Sequence, residues 1–144
     1  MIEQDTVKLL RECDAGIKMG VSAIDDVLGR VKNNTLREQL ADCKVEHEKI
    51  RGEVQDALNR FHDTGKNPNI FASSMSKMKT TVMMGFKESD KTVADLITDG
   101  CNMGVKSLNR YLNQYKAADE TAKDITKRLS KLEEDLATDI RTFL

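Results

Sequence analysis

The chain has 144 residues, which suits one domain able to bury a core without disulfide or metal staples. Charged residues make up 33% and the apolar set 39%, with 4% aromatics and a single proline, a balance that favours helices over a turn-rich β-sandwich. Lysine and arginine number 23 against 24 aspartates and glutamates, both signs interspersed, so the net charge of −1 leaves no basic footprint for nucleic acid.

The opening residues Met1-Ile2-Glu3-Gln4-Asp5 carry neither a basic nor an apolar leader pattern, and no run approaches the roughly 18 apolar residues of a membrane span. The expectation is a cytoplasmic protein without membrane insertion, a single domain over 1–144. Cys13, Cys43 and Cys101 are odd in number, far apart and set in apolar helical patterns, as core thiols of a reducing compartment would be.

Val7, Leu10, Ile17, Val21, Ile24, Leu28 and Val31 recur at steps of three and four, with a gap at Asp14, and predict a helix over about residues 4 to 32. Asn33-Asn34 breaks it, and Thr35 with Glu38 forms a capping-box signature for the next helix. The connection is short, so these two helices are antiparallel neighbours. The second helix turns Leu36, Leu40, Cys43, Ile50, Val54, Ala57 and Phe61 inward, with a gap at His47, and ends before the breaker Gly65-Lys66-Asn67-Pro68.

Residues 70–87 place Phe71, Met75, Met78, Val82 and Phe86 on one face and predict a short amphipathic crossover helix. Its methionines, Met83 and Met84 among them, make it a candidate face for a protein partner. Ser89 is placed to cap a third long helix carrying Val93, Ile97, Cys101, Val105, Leu108, Leu112 and Tyr115, to about Lys116. A last helix opens near Asp119 and buries Ala122, Ile125, Leu129, Leu132, Leu136, Ile140 and Phe143. Two hairpins joined by one connection long enough to cross a bundle predict a ferritin-like all-α four-helix bundle.

Cys13-Asp14-Ala15-Gly16-Ile17-Lys18 on the first helix echoes Cys101-Asn102-Met103-Gly104-Val105-Lys106 on the third. With Tyr111 and the Gly65-Lys66-Asn67-Pro68 break, these stretches make the chain resemble a family of small bacterial ferritin-like proteins of unknown function. Members of that family show Cys-x-x-Gly in the first and third long helices. They also carry carboxylates around the third-helix glycine, where this chain has Asn102, Val105 and Lys106. The resemblance implies the fold and a stress-associated role; it does not extend to carboxylate chemistry.

A di-metal centre of the ferritin kind needs two Glu-x-x-His pairs, because residues i and i+3 share a helix face. Here the only histidines are His47 and His62, preceded at that spacing by Lys44 and Asn59, so the ligand set is absent. Asp14 and His47 are nevertheless the polar members of the first two inward stripes. A turn at Asn33-Asn34 sets residue i opposite about 67 − i. His47 then faces Gly20 and Asp14 faces Glu53, levels roughly 9 Å apart along the axis. His47 is expected as a core imidazole hydrogen-bonded across the bundle, given room by Gly20. Asp14 is expected to pair with a cation of another helix or to set register. The sharper alternative is one iron or zinc site around His47, Glu46, Asp14 and Glu133.

Gly16, Gly20, Gly100 and Gly104 repeat at four-residue spacing although each interior glycine costs ~1 kcal/mol against alanine. Close helix approach is the expected reason, and room for a small ligand the alternative. No phosphate loop, paired CxxC or nucleophile elbow is present. The leading expectation is a non-catalytic structural or partner-binding protein, a dimer through helix faces, with no cofactor. A degenerate metal-binding protein and a small-ligand carrier are the alternatives.

Overall fold

The structure is a computed structural model that describes residues 2–67 and 89–144. Among the described residues there are four long helices, no strand and a terminal turn. They are α1 Ile2–Leu28, α2 Asn34–Asn59, α3 Asp90–Gln114 and α4 Glu120–Asp139, then a 3₁₀ turn Arg141–Phe143. The expected crossover helix and methionine-rich face over 70–87 lie outside the described residues. No helix among the described residues is long and apolar enough to cross a membrane.

Local chemistry sets the helix starts. Ser89 and Asp119 are extended residues whose side chains accept from Thr92 N and Ala122 N, satisfying first-turn donors as expected. At α2 the cap is Asn33 rather than the Thr35 of the predicted capping box. Its Oδ1 accepts from Thr35 N at 2.8 Å and Leu36 N at 3.1 Å, which starts the helix at Asn34. α1 stops at Leu28, short of the expected end, and the turn beyond it buries Val31.

Side-chain clips then fix how the helices run. The Asp90 carboxylate at the start of α3 accepts from Lys32 N at 2.8 Å and Asn33 N at 2.9 Å, in the α1–α2 turn. At the other end Asp5 and Thr6 of α1 accept from Ala117 N and Asp119 N of the α3–α4 turn, at 3.0 and 2.8 Å. α1 and α4 therefore run one way and α2 and α3 the other. α2 finishes at the opposite end from the one at which α3 starts. α1 packs beside α2 and α3, α4 beside the same two, and α1 meets α4 across the diagonal.

The buried apolar side chains fall into two blocks. One gathers Ile24, Val27, Leu36, Leu40, Ile97, Leu136 and Ile140, the other Leu9, Leu10, Ile17, Val54, Leu58, Leu108, Ile125 and Leu129. Along each helix the change from one block to the other brackets a residue that is not a hydrophobe: Gly20 in α1, His47 in α2, Gly104 in α3 and Glu133 in α4.

Candidate functional site

That layer is the polar centre of the bundle. His47 is 1% exposed. Its Nδ1 lies 2.8 Å from the backbone oxygen of Cys43, one turn earlier on α2. A carbonyl oxygen only accepts, so Nδ1 carries a proton and donates. Nε2 then faces Oε1 of Glu133 at 2.6 Å with one proton between them. The pair is either imidazolium with carboxylate or imidazole with carboxylic acid, and both forms have zero net charge.

Burial opposes the imidazolium, but the contacts with Cys43 and the Glu133 carboxyl outweigh it and hold His47 at about 10, far above an ordinary histidine. The Cys101 thiol of α3 lies on the same cavity wall as Glu133, and its pKa is pushed up by burial and by the Glu133 charge. Cys43 Sγ adds a 3.4 Å contact to His47 Nδ1.

Glycine makes this layer fit. A Cβ on Gly20 would stand 3.1 Å from His47 Nε2, closer than a side chain tolerates without a shift. A Cβ on Gly104 would stand 3.5 Å from Glu133 Oε2, in ordinary contact. The other two glycines behave differently. At Gly16 and at Gly100, both half-buried, a Cβ would meet nothing within 4 Å among the described residues, so no described helix approaches them closely. They face a cavity of about 70 Å³ whose wall also includes Gly20, Gly104, Ile24, Ile97, Leu108, Leu129, His47, Cys101 and Glu133.

At ~10–15 Å³ per water-sized centre this is room for roughly five such atoms. The Glu133 side chain keeps 12% of its surface accessible, whereas that of His47 keeps 1%. At another part of the wall lie Tyr111, whose pKa is raised by burial and by the Glu12 charge, and Glu12 itself, which pairs with Lys66.

Of the four residues weighed as metal ligands, the structure brings together His47 and Glu133. Glu46 is exposed and pairs with Lys49 at 3.0 Å on the α2 surface. Asp14 is fully buried in a separate cluster: its carboxylate accepts from Gln55 Nε2 at 2.8 Å and Lys66 N at 3.0 Å, and pairs with Lys18 Nζ at 2.7 Å. Its cation thus comes from its own helix, four residues on, instead of from another helix. Both nitrogens of His47 are engaged, so a metal there would have to displace Glu133 or Cys43 O. Among the described residues no group of three His, Cys, Asp or Glu side chains is placed to hold a metal ion. His62 lies two residues beyond Arg60, the C-cap of α2, has φ 57 and is exposed.

The nearness of Cys101 to the Glu133 charge was not legible in the sequence, although its place one turn before Gly104 put it near the right level. The class defined so far is an all-α bundle of four helices with a buried polar layer beside a small cavity. Comparison with protein-family models, with curated proteins and with solved structures finds no match to this chain.

Proposed function

We propose that this chain is a non-catalytic binding protein, a ferritin-like bundle without the di-metal ligand set, which holds a small molecule in its interior beside Glu133. The ferritin-like part rests on helix direction: α1 runs parallel to α4 and α2 parallel to α3, so α2 ends and α3 begins at opposite ends of the bundle. The binding part rests above all on Gly16 and Gly100, half-buried residues of two helices that line the cavity and at which, among the described residues, a Cβ would meet nothing within 4 Å.

Glycine at such positions costs ~1 kcal/mol each in helix propensity, and an apolar gap forfeits dispersion contacts as well. A ligand that fills the gap restores those contacts. Among the described residues of the wall, burial and the Glu133 charge disfavour the Cys101 thiolate, and both nitrogens of His47 are engaged. The bland use of the polar layer, a register-setting device, is compatible with this reading, because the same pair both sets register and forms one wall.

Native mass spectrometry of untagged protein, joined with elemental analysis, tests the proposal. The expected result is substoichiometric metal together with either a retained organic mass or saturable uptake of an added small probe, lost in Gly100→Val. One metal per chain, lost in His47→Ala, would overturn it in favour of a single metal site.

A further inference from the structure

α1 and α3 meet along a groove whose wall holds Gly16, Gly20, Gly100 and Gly104. Met19 of α1 stands on one of its lips. Leu96 of α3, one turn before Gly100 on the same helix face, stands on the other. Both are half-buried, and among the described residues neither packs against the two apolar blocks of the core. Two large apolar side chains facing each other across a groove outside the core make a strip that apolar surface can cover.

The chain itself reaches both ends of that strip. Beyond α2, Asp63 pairs with Arg11 at 3.7 Å, Lys66 N donates to Asp14 at 3.0 Å, and Lys66 pairs with Glu12 on the groove wall. By residue 66 the chain has thus crossed from α2 onto α1. Ser89 caps α3 at the opposite end of the bundle, where Asp90 accepts from Lys32 N. Residues 68–88 join these two points.

Length and pattern suit the groove. Lys66 is held at the level of Asp14 and Asp90 at that of Lys32, eighteen positions on, roughly 27 Å at helical rise. The eighteen residues 70–87 span about the same 27 Å as a helix, against about 60 Å extended. Their apolar members Phe71, Met75, Met78, Val82 and Phe86 recur at the spacing of one helix face. With residue 70 at the level of Asp14, Met75 comes level with Met19. Leu96, six residues into α3 from Asp90, then comes level with Val82.

Going beyond the interior-binding reading and not resting on it, we propose that segment 70–87 of this chain docks as a helix along the lips of the α1–α3 groove, Met75 against Met19 and Val82 against Leu96. Methionine adapts to an uneven strip of this kind. The space beside Glu133 lies deeper, beneath the lips.

The seven methionines allow a test on the wild-type chain labelled with carbon-13 at the methionine methyls. A nuclear Overhauser contact between the Met19 and Met75 methyls is expected. A soluble paramagnetic agent is expected to broaden both less than Met103, which is 39% exposed. Met75→Asp is expected to abolish the contact and to bring the broadening of Met19 up to that of Met103. In the wild type, absence of the contact together with broadening of Met75 as strong as that of Met103 would overturn the proposal. A contact seen only between differently labelled chains would overturn it in favour of a second copy in the groove. Probe uptake in native mass spectrometry is read separately, so failure here leaves interior binding standing.

Discussion

Nε2 of His47 lies 2.6 Å from Oε1 of Glu133 and ties α2 to α4 at the level where the apolar core divides into two blocks. The contact joins residues 86 positions apart in the chain. Removing one member leaves a buried ionisable group alone, which costs about 3–5 kcal/mol, whereas replacing both by hydrophobes removes the desolvation cost as well. His47→Leu and Glu133→Leu are each expected to lose about 3 kcal/mol, and the double variant clearly less than their sum. Urea unfolding of the four proteins checks this. Additive losses would mean that the two side chains do not depend on one another.

The same pair sets a pH dependence. The folded His47 value of about 10 lies above the unfolded value near 6.5. Its stabilisation is therefore complete below pH ~6.5 and drains away as pH rises toward 10, at a slope of at most ~1.4 kcal/mol per pH unit. Unfolding midpoints across pH 6 to 10 should fall for the wild type more steeply than for the double leucine variant. Parallel profiles would contradict the assignment.

The glycines should respond in opposite directions. Gly100→Ala adds a methyl to open space and improves helix propensity, so it is expected to raise stability by up to ~1 kcal/mol. Gly20→Ala pushes its Cβ to within 3.1 Å of the His47 imidazole and is expected to lower stability. Thermal unfolding of the two variants side by side is sufficient. A loss in Gly100→Ala would mean that the space beside it is already filled.

Gly65 holds the chain leaving α2. Its φ of +96° favours glycine, and a Cβ would lie 2.2 Å from Asp14 Oδ2. Gly65→Ala is expected to cost about 1–3 kcal/mol through strain and loss of the Lys66 N bond to Asp14. In Asp14→Ala the clash is gone, so adding Gly65→Ala to it should cost less than in the wild type. Denaturant titration of the cycle measures the coupling. Equal costs in both backgrounds would place the strain elsewhere.

Much of this could be read from the residues. A turn at Asn33-Asn34 brought His47 opposite Gly20 because a short antiparallel connection leaves little freedom of register, and Gly20 does stand beside the imidazole. The starts of α3 and α4 followed from Ser89 and Asp119. At α2, consecutive residues of cap type left Asn33 and Thr35 open, and periodicity does not choose between them. The partners of Asp14 were hidden because register along one hairpin says nothing of the chain beyond it, where Gly65 turns Lys66 N back onto α1.

Glu133 was named beside His47 only as a candidate metal ligand and not as its hydrogen-bond partner; what the pair does depends on which nitrogen Cys43 O occupies, a matter of rotamer. The cavity was least legible. A glycine at close approach and a glycine beside a void have the same sequence, and interaxial distance separates them.

The claim that the interior is a binding site is tested most directly by native mass spectrometry of the untagged chain beside its Gly100→Val variant. A retained organic mass, or saturable uptake of an added small probe, that is absent in Gly100→Val is the predicted result. A bare chain that takes up no probe, or uptake undiminished in Gly100→Val, would contradict it.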